Sequence, residues 1–151
     1  MINTDKYLKF TKIDSVAVTD RGLEAALHGE RLRIDLVSSD VLRLKISRGG
    51  KFDEAPSAAL APEVAARHAL PEHLVPFEFK LDDAEATITT ADLRAVVGLN
   101  PFFVDVWRTD GTAVVETARD AHGNLRSFET LNDAFAVYRK IGANDAVYGL
   151  G

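Results

Sequence analysis

Four histidines and two pairs of adjacent acids are the side chains of this 151-residue chain best suited to catalysis or metal binding, and their spacing argues against both. His28, His68, His73 and His122 are scattered, and the five-residue step from His68 to His73 does not stack two imidazoles on one helix face as a zinc helix does. A zinc site needs three or four convergent ligands, so no metal is assigned. Asp53-Glu54 and Asp82-Asp83 are sequence neighbours, which on a strand point to opposite faces and cannot flank one bond. They read as solvated turn residues. Cysteine is absent, which removes disulfides, thiolate ligands and cysteine nucleophiles together. No G-x-S-x-G elbow, phosphate loop or G-x-G-x-x-G is present, so no hydrolase triad or nucleotide cofactor finds support, and no catalytic residue is assigned.

Aromatic side chains offer binding chemistry instead. In Phe102-Phe103-Val104-Asp105-Val106-Trp107-Arg108, alternation places Phe102, Val104 and Val106 on one face and Phe103, Asp105 and Trp107 on the other. Stacking against a sugar ring is one use for the second face, and Trp107 is a candidate substrate-binding residue on that ground. The ordinary tendency of large aromatics to be buried favours packing of this face on a second sheet or a neighbouring domain.

These residues need a scaffold, and the composition permits one folded domain over residues 1–151. The chain is 46% hydrophobic and 27% charged, in the range of globular proteins. Eighteen Lys and Arg against 23 Asp and Glu give a net charge of −5, leaving no basic field to draw in nucleic acid or anionic lipid. The first ten residues lack the apolar run of a signal peptide, and no later stretch approaches the roughly 20 apolar residues of a membrane span, so the chain reads as cytoplasmic. A (β/α)₈ barrel needs about 250 residues and is excluded.

Period-two alternation dominates. Arg31 to Val37 turns its leucines and Ile34 to one side, and Val41 to Ser47 repeats this after Ser38-Ser39-Asp40, predicting a hairpin. Strands over Ser15–Thr19 and Leu23–His28 precede it. Alternation returns at Phe77–Leu81, Ala86–Thr89 and Leu93–Val97, and Asp110-Gly111 predicts a hairpin between Phe102–Arg108 and Thr112–Thr117. Residues 133–141 lack a clean polar face and suggest a strand buried on both sides. Four of the five prolines fall between Pro56 and Pro76, an excursion from the sheet with a short helix over Pro62–Leu70. About ten short strands without βαβ spacing predict an all-β antiparallel sandwich.

The C-terminal stretch Leu131-Asn132-Asp133-Ala134-Phe135-Ala136-Val137-Tyr138-Arg139-Lys140, followed by Ala146-Val147-Tyr148-Gly149-Leu150-Gly151, closely resembles the segment that leads out of the N-terminal β-sandwich of glycoside hydrolase family 31. Leu32 to Ser47 is similar to that family's first hairpin. Leu93-Arg94-Ala95-Val96, Asn100-Pro101-Phe102 and Thr109-Asp110-Gly111 are similar to its next strand, Pro-Phe step and Asp-Gly turn. The resemblance covers most of the chain outside residues 50–75. It implies a galactose mutarotase-like sandwich and a parent enzyme of α-glucosidase type, retaining and with both carboxylates on a (β/α)₈ barrel. The family's Trp-x-Asp-Met-Asn-Glu nucleophile motif is absent, since Trp107 is followed by Arg108-Thr109-Asp110. The chain therefore reads as a non-catalytic N-terminal domain, partnered by a barrel of the same polypeptide and by its α-glucoside substrate. The excursion at 56–76 and Tyr148 are the candidates for reaching the substrate pocket. The alternatives are a free-standing carbohydrate-binding module, which needs an exposed aromatic platform, and a small-ligand β-barrel carrier, which needs a closed sheet with an apolar lumen.

Overall fold

The structure, a computed structural model, describes residues 6–47, 49–52, 61–69, 73–132 and 134–142. A first sheet contains β2 (Ser15–Thr19), β3 (Gly22–Leu27), β4 (Glu30–Ser38) and β5 (Val41–Ile46), following the short β1 (Leu8–Lys9). Helix α1 (Pro62–Ala69) then precedes β6 (Glu78–Leu81), β7 (Glu85–Thr89), β8 (Leu93–Leu99), β9 (Phe102–Arg108) and β10 (Ala113–Val115), which form a second, five-stranded sheet. The remainder comprises β11 (Ala118–Arg119), β12 (Leu125–Arg126), β13 (Phe128–Leu131) and β14 (Ala134–Val137). Both large sheets are antiparallel meanders in which sequence neighbours pair throughout.

Turn chemistry sets the registers. His28 and Gly29 both have positive φ, the geometry of a two-residue turn whose twist matches its flanking strands, and Leu27 accordingly sits opposite Glu30. Ser39-Asp40 and Asn100-Pro101, the latter a cis peptide, close the β4–β5 and β8–β9 hairpins. The Asp110-Gly111 turn joins β9 to β10 as expected: Gly111 has positive φ, and the Asp110 carboxylate accepts the Thr112 N–H at 2.8 Å.

With these registers, the inward residues of β3 and β4 (Leu23, Ala25, Leu27, Leu32, Ile34, Leu36) meet those of β7, β8 and β9 (Ala86, Ile88, Ala95, Val97, Phe102, Val104, Val106) in one buried cluster. Two antiparallel sheets sharing a single core make a β-sandwich. Neither sheet closes on itself among the described residues, and side chains fill the interior, so the closed barrel with an apolar lumen does not describe this chain. At one end the sheets are laced together: the Thr90 hydroxyl donates to the Ser39 carbonyl at 2.5 Å and the Ser39 hydroxyl to Asp92. Residues 10–14 lace the other, through Phe10 N–H to Phe128 O, Phe102 N–H to Thr11 O, Ile13 N–H to Leu99 O and Asp14 N–H to Ala26 O.

One expected strand is corrected. The segment 133–141 yields only Ala134–Val137 as β14, at the edge of the small sheet β1-β13-β14, and Phe135 and Val137 are each 45% exposed rather than buried. Their face fronts an open groove, so the mixed pattern reflects an edge strand and not one covered on both sides. The strands β1 and β11–β13 have no counterpart in the sequence reading.

Candidate functional site

Trp107 lies on the outer surface of the five-stranded sheet. The register builds a grid there: Thr89, Arg94 and Trp107 stand side by side, then Thr87, Val96 and Asp105, then Glu85, Gly98 and Phe103. Phe102, Val104 and Val106 face the core, as the alternation predicts. The other face does not pack on the second sheet; it forms a groove of about 500 Å³ whose floor includes Val96, Phe103 and Trp107. Phe103 and Trp107 are half-buried.

Gly98 shapes this floor. A Cβ there would overlap the Phe103 ring, so the absence of a side chain lets the ring lie across β8. Arg94, opposite Trp107, approaches Glu85 to 3.8 Å; Arg94 is exposed and Glu85 half-buried. Asp105 accepts the Thr117 N–H at 2.6 Å through Oδ1, and Oδ2 makes no hydrogen bond among the described residues. Two cations (Arg94, Arg108) and two anions (Glu85, Asp105) therefore line one groove with two aromatic rings.

A second groove of about 570 Å³ separates β5 from β14. Leu44, Ile46, Phe128, Phe135 and Val137 give it apolar walls, and Glu30 and Arg139 give it charge. Burial pulls the Arg139 guanidinium below its ordinary pKa, opposed by Asp105, and its cation sits over the Phe128 ring at 4.9 Å. Glu30 is already engaged by the Ser47 hydroxyl and the Gly49 and Gly50 N–H groups.

Tyr148, the other candidate, lies outside the described residues, as do 56–60 and 70–72 of the proline-rich excursion. His28 and His122 occupy separate exposed turns and His73 an exposed loop. Asp82 is a turn residue whose carboxylate accepts the Ala84 and Glu85 N–H groups, which hold its pKa below the ordinary value. Among the described residues no cluster of three or more His, Asp or Glu side chains could hold a metal ion, and no helix is long and apolar enough to cross a membrane.

The sequence profile of the glycosyl hydrolase 31 N-terminal galactose mutarotase-like domain matches residues 31–151. The chain belongs to this family. No curated protein sequence matches it. Solved structures similar to this glycosyl hydrolase 31 domain include an uncharacterized Listeria monocytogenes protein in complex with α-D-glucose, β-D-glucose, magnesium and calcium, and a cycloalternan-forming enzyme from Listeria monocytogenes in complex with a pentasaccharide substrate. Each aligns with a TM-score of 0.56 at 17% identity over 80% of this chain, a likeness that establishes the fold alone. The domain spans 10% of the length of each of those chains.

Proposed function

We infer that this domain is the non-catalytic N-terminal sandwich of an α-glucosidase-like glycoside hydrolase that cleaves α-glycosidic bonds with retention. The family match over residues 31–151 carries the reading. Retaining hydrolysis needs two carboxyl groups about 5–5.5 Å apart across a sugar, supplied in this reading by a (β/α)₈ barrel of the same polypeptide. The sandwich supports that barrel and shapes the carbohydrate pocket, through the excursion at 56–76 or through Tyr148.

Two assays test this. The purified 151-residue chain should leave a chromogenic α-glucoside intact, while the full-length gene product turns it over. Turnover by the short chain, or none by the long one on any α-glucoside, refutes the reading. Deleting residues 56–76 from the long protein should alter KM or chain-length preference.

A further inference from the structure

We propose that the outer face of the five-stranded sheet binds a neutral oligosaccharide, with Trp107 and Phe103 as stacking platforms and two hydroxyl-binding groups, Asp105 between the rings and Arg94 beside Trp107.

Four observations converge on that ligand class. Phe103 and Trp107 occupy the same face of β9 four residues apart, about 13 Å along a strand, so they suit an extended ligand with repeated flat faces. Gly98 lets the Phe103 ring lie across β8, with the groove on its open side. The Trp107 indole makes no hydrogen bond among the described residues, leaving its N–H available. The charged groups balance, two cations against two anions, which disfavours a strongly anionic or cationic ligand and suits an uncharged polyol.

A protein partner fits less well. Interface centres are depleted of charge, whereas here Asp105 stands between the rings and Arg94 and Glu85 flank them. Sugars need that interleaving, because each ring offers a C–H face to an aromatic and hydroxyl pairs to planar groups. A guanidinium such as that of Arg94 can donate to such a pair in two-pronged fashion, and the Asp105 Oδ2 can accept from a hydroxyl while Oδ1 holds the Thr117 N–H.

The choice of probe rests on the functional reading above, and the test separates the two ideas. Trp107 is the sole tryptophan, so emission excited at the red edge, where the three tyrosines do not absorb, reports this face alone. Titrating the chain with maltotetraose should give a saturable change in emission, with amide shifts at Val96 and Phe103. W107A should weaken binding by about tenfold or more, the range seen when a stacking ring is removed from a planar ligand, read from the amide shifts. R94A, at an exposed position, should weaken it several-fold with an unaltered melting curve, which keeps the test valid if W107A unfolds the sheet. Saturable binding that W107A and R94A leave intact, or no emission or shift change at millimolar sugar, overturns the proposal. Turnover of α-glucosides by the long protein without binding here sinks this inference alone; binding here without turnover sinks only the catalytic reading.

Discussion

Arg126 and Glu129 form an ion pair inside the small sheets, its guanidinium donating to the Glu129 carboxylate at 2.8 Å while that side chain is only 2% exposed. The Tyr138 hydroxyl donates to the other carboxylate oxygen at 3.1 Å, and Arg126 lies 3.9 Å over the Tyr138 ring. The bond to Glu129 raises the Arg126 pKa.

Removing one partner should therefore cost more than the pair itself is worth. R126A leaves a buried carboxylate without its cation and should destabilise the chain by on the order of 3 kcal/mol, against about 1 kcal/mol for Y138F. Urea midpoints of the two variants test the ordering, and equal small shifts would show that Glu129 is adequately solvated without Arg126.

Two glycines should respond differently to alanine. At Gly22, φ is +146° and a Cβ would run into the Ile34 carbonyl, which is backbone and cannot turn away. Gly29 has φ +82° but open space around it, so G29A meets only conformational strain of about 1 kcal/mol. G22A should exceed that clearly in a thermal melt.

Stability should fall in acid, beginning where carboxylates ordinarily titrate. Burial tends to raise the Glu24 pKa, but hydrogen bonds and charge from Arg33 and Arg31 outweigh it and the net shift is downward from 4.5. Asp82, Asp110 and Asp120 are lowered from 3.8 chiefly by hydrogen bonds within their turns. A lowered folded-state pKa gives stability that is complete above the unfolded value and is lost as pH drops through the folded one. Denaturant midpoints should thus be flat above pH 4.5 and decline below it, and E24Q should soften the decline.

Thr90 is a lock between the sheets. Its hydroxyl donates to the Ser39 carbonyl and accepts the Leu93 N–H at 3.0 Å. T90V keeps the shape but leaves both groups without that partner, for about 2 kcal/mol. A melting temperature unchanged by T90V would show that water replaces the hydroxyl at both positions.

Much of the sandwich was legible because inward apolar residues alternate with polar ones, as in Leu32, Ile34 and Leu36 against Arg31, Arg33 and Asp35, although Asp35 itself is buried. Turn residues such as Asp110-Gly111 added register. The small sheets were illegible for a physical reason: β1, β11 and β12 are two residues long, too short to show a period. Edge strand β14 was misread because its apolar side faces a groove. At the candidate site, Trp107, Phe103 and Asp105 could be placed on one face from the chain alone, but Arg94 and Gly98 join them only through cross-strand pairing that sequence spacing does not encode.

The lacing of residues 10–14 bears on how the chain is made. Leu8 pairs with Thr130 and Phe10 bonds to Phe128, so the first strand finds its partner only after both large sheets have been synthesised. The local hairpins can close as they emerge from the ribosome, whereas the N-terminal segment must wait, and such distant pairing slows folding. A nascent chain arrested before Phe128 should hold the two meanders together while its first residues stay open to protease.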